Sequence, residues 1–439
     1  MGVIIRQSIK ATIFNYIGAF IGFLTIFFVL TKYVEPEIIG LTKVMYEVAA
    51  LIAGFAQLGT SASAMRFFPY FKNPENNHNG FFFYLLLMPA IGSVIFISLF
   101  LLCKNYIIDF FIQKSALIVE YYNWILPLTL FLVFWGVLET FSNILLRIVV
   151  PKFIREVVLR CILLVLYALY AFGWMSLDML VAGYVLCYGL VMVFTLLYVS
   201  HVTPLSLKHD ISFIDKKLLK KISGYTLFLL IGALGSSITG QLDLFMVSSQ
   251  MGLGYAGIYT IAFYMATVIE MPSRSITAIA SPLAAAFLKD GKFEEANQLY
   301  KKVALHQLMA GGTFFVLIWI NIDSIFAIIP NGDVYSSGKW VVFFIAMAKL
   351  IGMTFGFGET LISFSRYYYW RLYFTFFITV LTILSNYWLI PILGMSGAAI
   401  ATLLTYVMSY SVQQWIVVRK VKGDPYSWGI VKLLCLFMF

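Results

Sequence analysis

The chain has 439 residues, of which 62% are hydrophobic and 11% charged, and it carries a formal net charge of +10 at pH 7. A mean hydropathy of +0.92 excludes a soluble globular domain, and the length is enough for a dozen helical spans of about 20 residues each. The basic excess sits in short loops, such as the one holding Lys216, Lys217, Lys220 and Lys221, with no folded basic module attached; membrane topology accounts for it, and nucleic acid is not an expected partner.

In chain order, the apolar runs predict spans over 10–32, 37–68, 80–103, 118–147, 152–173, 177–200, 222–248, 253–286, 303–329, 339–365, 370–392 and 395–418. The first run follows Arg6 and Lys10, is longer than a signal-peptide core and lacks a small-residue cleavage pattern. It is therefore expected to be retained, with the N-terminus cytoplasmic. With that start, Lys32, Lys104, Lys114 and Lys339 fall on the far side and nearly all other Lys and Arg on the near side, as the positive-inside rule requires. The polar stretch 201–221, with Pro204, Asp210 and Asp215, divides an N-terminal six-helix lobe, 1–200, from a C-terminal one, 222–420. A short apolar segment, 421–439, follows; its stretch from Trp428 is too short to cross. The polar segments 73–79 and 288–302 read as solvated, and the single histidines His78, His201, His209 and His306 as loop residues. Cys103, Cys161, Cys187 and Cys435 form no CxxC pair, which predicts neither a disulfide nor a metal site.

The two halves repeat. Gly136, Glu139 and Thr140 recur as Gly356, Glu359 and Thr360, Met175-Ser176 recurs at the same offset as Met395-Ser396, and Gly40 matches Gly257 at a nearby one. Six spans separate the copies, an even number, so both lobes cross the membrane in the same direction and are related by an axis along its normal. A cleft between the lobes, with a substrate near the midplane, is the expectation.

Eight charged residues lie inside the apolar runs: Lys43, Glu47, Glu139, Asp243, Glu270, Arg274, Lys349 and Glu359. Left in lipid at roughly 2.5 to 3.5 kcal/mol each, they would cost about 20 to 30 kcal/mol, more than a typical folding stability of about 5 to 15 kcal/mol. Most must therefore face protein or water, which points to a polar transport pathway. Helical spacing gathers several of them on stripes: Lys43, Glu47, Ala50, Gly54, Gln57 and Ser61; Gly136, Glu139, Asn143 and Arg147; Glu270, Arg274, Thr277 and Ser281; Lys349, Gly352, Gly356 and Glu359. The small members read as helix-packing positions. Lys43 with Glu47, and Glu270 with Arg274, have the four-residue spacing of ion pairs. Pro272 removes a backbone donor and predicts a kink in the eighth span. Arg66 stands at the cytoplasmic end of the second span, placed to reach lipid phosphates or a cavity mouth. The run Tyr367 to Trp370 reads as an interfacial aromatic belt.

Three stretches carry a family resemblance. The second span has Gly40-Leu41, Leu58-Gly59 and Arg66-Phe67-Phe68-Pro69; the second half begins with Asp243-Leu244-Phe245 and Gly257-Ile258-Tyr259; the last two spans carry Asn386, Leu389, Ile390, Pro391, Gly394, Gly397, Ala398, Ala399, Ala401 and Thr402. Together they resemble the polysaccharide transporter family of the multidrug/oligosaccharidyl-lipid/polysaccharide exporter superfamily, the group that includes O-antigen flippases. The resemblance implies an all-α polytopic membrane protein with two six-helix lobes around a central cavity. It also implies a non-enzymatic exporter of a lipid-linked oligosaccharide, carried on undecaprenyl diphosphate, in the bacterial cytoplasmic membrane beside membrane lipids and polysaccharide-assembly proteins. On that reading Lys43, Arg274 and Lys349, with Arg66 at the mouth, meet the diphosphate. Glu47, Glu139, Asp243 and Glu359 are the carboxylates placed to carry a coupling proton or sodium ion, and no other cofactor is expected. A cation-coupled multidrug antiporter remains the alternative, followed by a membrane glycosyltransferase or polymerase. The mixed internal charges and the short outer loops weigh against these two in turn.

Overall fold

A computed structural model describes residues 2–73, 78–205, 220, 222, 224–226, 242–365, 367, 369–421, 423–426, 428–430 and 432. The lysines Lys216, Lys217 and Lys221, most of the predicted span 222–248, His209, Tyr368 and Cys435 lie outside them. Among the described residues regular structure is helical, and ten helices are long and apolar enough to cross a membrane. The chain divides into two compact units, Met1–Gln241 and Leu242–Phe439.

In the first unit, α1 (Gly2–Leu24) runs into a π turn, Thr25–Leu30. Helix α2 (Pro36–Ala56) starts on Pro36, whose fixed φ and missing amide suit a first helical position. The predicted second span is not continuous. It breaks at Leu58 (φ 49°) and Gly59 (φ 71°) and resumes as α3 (Thr60–Phe71). The left-handed pair ends one helix and redirects the next, a conformation in which Gly59 costs little because it has no Cβ. Next come α4 (Phe81–Leu102) and α5 (Ile125–Ile144). Helix α5 buries Leu128, Val133, Val137 and Phe141 and leaves Gly136, Glu139 and Asn143 partly exposed on another face.

The predicted span 152–173 is helical but not uniformly α: a π turn, Ile154–Val158, precedes α6 (Leu159–Ala171). The carbonyl of Glu156 in that turn comes so close to Gly18 of α1 that any Cβ there would collide with backbone. Arg160 ties the crossing by donating from Nη1 to the Gly18 carbonyl at 2.6 Å and from Nη2 to Glu156 Oε2 at 3.2 Å. Helix α7 (Leu177–Val202) closes the set, capped by Ser176, whose hydroxyl accepts from the Met179 amide.

The second unit has α8 (Leu253–Thr267), a 3₁₀ turn (Val268–Glu270) and α9 (Met271–Lys289). The expected kink at Pro272 is thus a change of helix type just before the proline, which sits in the first turn of α9, where its missing amide is tolerated. Helices α10 (Phe293–Ile320), α11 (Lys339–Phe364), α12 (Trp370–Leu393) and α13 (Met395–Ile416) complete it. Helix α10 begins ten residues ahead of the predicted 303, because the polar segment after Gly291 (φ 72°) is itself helical. Tyr300, Ala304 and Leu308 of α10 are buried with Phe357 and Leu361 of α11, Ile416 of α13 and Ile430 beyond it. Between α12 and α13, Gly394 takes φ 63° and Gly397 lies against the Leu389 backbone. The glycines of that motif therefore have a packing role as well as a family signature.

Candidate functional site

Several charged side chains inside the helices are held by partners from their own unit. In the second unit, Asp243 receives three side-chain hydrogen bonds. Asn386 Nδ2 donates to Oδ1 at 2.8 Å, Tyr259 Oη donates to Oδ2 at 3.3 Å, and Thr402 Oγ1 also donates to Oδ2. Asn386 is fully buried and Tyr259 nearly so. These donors offset part of the desolvation cost of the carboxylate, and they fix it where α8, α12 and α13 converge. Asn386 Oδ1 is buried without a hydrogen-bond partner among the described residues. The carboxylate is thus contacted by one amide nitrogen and two hydroxyls, all donating to it; a buried carboxylate beside two hydroxyls has the hard oxygen chemistry that a proton or a hard cation uses.

Close by, Lys349 of α11 pairs through Nζ with Glu270 Oε2 at 3.2 Å, and its ammonium lies 5.5 Å from the Phe263 ring and 5.9 Å from the Tyr406 ring. Its charge also reaches Asp243. This corrects the pairing expected from spacing: Glu270 serves Lys349, not Arg274. The 3₁₀ turn ends at Glu270 and α9 begins at the next residue, so the regular helix that would align Glu270 with Arg274 is interrupted between them. Arg274 is exposed and makes no ion pair or hydrogen bond among the described residues. Glu359 is partly buried on the α11 face that also carries Gly352 and Gly356; those glycines admit the rings of Tyr406 and Tyr410.

In the first unit Lys43 and Glu47 form the expected pair, Nζ to Oε1 at 2.5 Å, with the ammonium 5.0 Å from the Tyr46 ring. Glu139 is bound to Arg155, Nη1 to Oε2 at 2.9 Å, and the guanidinium lies 5.3 Å from the Trp135 ring. Arg66 is exposed and stacks on Tyr225, 4.1 Å from its centroid. Arg155 escaped the sequence reading because it stands near the start of a predicted span, where a basic residue passes for a flank. Its neighbours gave a usable signal: Lys152, Glu156 and Arg160 are spaced by four, and both pairs form, at 3.1 and 3.2 Å. Asn386 and Thr402 were legible as parts of a motif but not as partners of Asp243.

A model of the family described as polysaccharide biosynthesis protein matches residues 4–285, more than half of the chain. The chain belongs to this family. Curated proteins give no match. Among solved structures, this polysaccharide biosynthesis protein is similar to a lipid II flippase MurJ in an inward closed conformation, with a TM-score of 0.77 at 12% identity, covering 98% of this chain and 91% of that one. A multidrug resistance MATE family transporter of the MOP superfamily, inward-facing, gives a TM-score of 0.65 at 17% identity over 99% and 98% of the two chains. A MATE in complex with MaL6 gives 0.57 at 18% over 100% and 97%. At such identities the likeness is one of fold, and it bears out the helical, two-lobed membrane architecture expected from the sequence.

Proposed function

We propose that this protein flips a lipid-linked oligosaccharide, carried on undecaprenyl diphosphate, across the bacterial cytoplasmic membrane by alternating access, with its N-terminus in the cytoplasm. The observation that carries this reading is the placement of basic side chains inside apolar helices of a polysaccharide biosynthesis protein: Lys43, Lys349 and Arg274. A diphosphate crossing hydrocarbon needs cations in place of lost water, and internal cations are costly enough that a purely structural helix would use neutral groups. Arg155 joins that set, and Arg66 serves at its edge.

Coupling falls to Asp243, whose neighbours make it the best built of the four carboxylates for a proton or sodium ion. Glu47 and Glu139 already balance cations, so their contribution to coupling is secondary; Glu359 keeps its place as the repeat partner of Glu139. Multidrug antiport, the alternative, calls for carboxylates open to a cationic drug, whereas Glu47, Glu139 and Glu270 are each spoken for by a base. Deleting the gene should make lipid-linked oligosaccharide accumulate on the cytoplasmic leaflet and deplete the surface O-antigen or related glycan. Normal surface glycan with no accumulation would overturn the reading.

A further inference from the structure

We propose that Glu270 is a latch on the substrate site: the anionic diphosphate displaces its carboxylate from Lys349, with Arg274 as the second cation. The proposal rests on the flippase reading and adds to it the resting partner that the substrate must replace.

Three observations of the second unit point to it. First, the ammonium is neutralised by a single carboxylate, Lys349 Nζ to Glu270 Oε2 at 3.2 Å. A diphosphate brings more charge and more acceptor oxygens than one carboxylate, so it competes well for the same ammonium. Second, the exposures have the order an exchange requires. The Lys349 side chain is 14% exposed and that of Glu270 35%, so the acid is the outer member and the base stays fixed against Phe263 and Tyr406. The Glu139–Arg155 pair has the opposite order, with the acid 16% and the base 47% exposed; there the acid is the inner, held group.

Third, the backbone lets Glu270 move. It ends the 3₁₀ turn Val268–Glu270, and Pro272, two residues on, has no amide to bond back into that turn. Short 3₁₀ stretches inside a helix often mark hinges. Arg274 follows in the first turns of α9, exposed and unpaired among the described residues. In the resting protein Lys349 is therefore neutralised, and Arg274 is left to meet the anion first.

The test is calorimetric titration of the purified full-length protein with inorganic pyrophosphate as the probe. Glu270→Gln removes the competing charge and should tighten binding about tenfold, the equivalent of about 1.4 kcal/mol. Lys349→Gln should weaken it at least about tenfold and make a second change at Glu270 silent, since nothing is left to unlatch. Glu270→Asp, which keeps the charge, should stay near wild type and serves as the control for folding. Equal or weaker binding by a monodisperse E270Q protein, or wild-type binding by K349Q, would overturn the latch. If wild type and E270Q bind pyrophosphate alike and both translocate lipid-linked oligosaccharide, the latch falls and the flippase reading stands. If wild type neither binds pyrophosphate nor moves the glycan, both fall.

Discussion

Asp243 shows how a single charged side chain is accommodated inside this protein. A carboxylate inside an apolar helix is costly, and three donors from Tyr259, Asn386 and Thr402 reduce that cost without cancelling the charge. Asparagine in its place would keep the size and lose the charge. Asp243→Asn is expected to insert and fold, and to translocate substrate at a rate indifferent to proton and sodium gradients. The measurement is transport in proteoliposomes with each gradient imposed in turn; an undiminished response to a gradient would remove Asp243 from coupling. The partners of Asp243 lie 16, 143 and 159 positions away in sequence. Each was visible as a polar residue in an apolar run, but periodicity describes one helix at a time and could not bring them together. Lys43 with Glu47 was legible because both lie on one unbroken helix, whereas Glu270 was assigned the wrong base because the helix changes type between it and Arg274.

At the scale of elements, close helix crossings set the tolerance for change. Gly397 lies so near the Leu389 backbone that a Cβ must shift α12 or α13. Gly397→Val should destabilise the second unit by roughly 1 to 3 kcal/mol, the usual cost of overpacking, read as an earlier thermal transition in detergent; an unchanged transition would mean that the crossing is looser than described. The helices and their polar stripes followed from hydropathy and spacing. The break at Leu58 and Gly59 lay inside a run whose length, well beyond the roughly 20 residues a span needs, and whose polar cluster Gln57, Gly59, Thr60 and Ser61 were its signs. The π turn at Ile154–Val158 left no sign, because a π turn differs from an α turn in backbone pairing and not in composition.

For the whole molecule, the repeat of Gly136, Glu139 and Thr140 as Gly356, Glu359 and Thr360 falls on α5 and α11 and so relates helices of the two units. The repeat has diverged in chemistry. Glu139 is bound to Arg155 on the π turn, while in the second unit α11 presents Lys349 to Glu270 on the 3₁₀ turn. In both units, then, the repeated helix is joined by an ion pair to a stretch of irregular helix, and such stretches are where movement costs least. The hydrogen-bonded carboxylate of Asp243 belongs to the second unit, whereas basic side chains stand in the apolar helices of both. The central claim is translocation itself. The direct measurement is the protection of a fluorescent undecaprenyl-diphosphate oligosaccharide from a membrane-impermeant quencher in liposomes holding the purified full-length protein. The account predicts that the labelled lipid crosses between leaflets faster than in protein-free liposomes, and that Lys349→Gln with Arg274→Gln returns the rate to the protein-free level. Equal rates with and without the wild-type protein, under an imposed proton or sodium gradient, would contradict it.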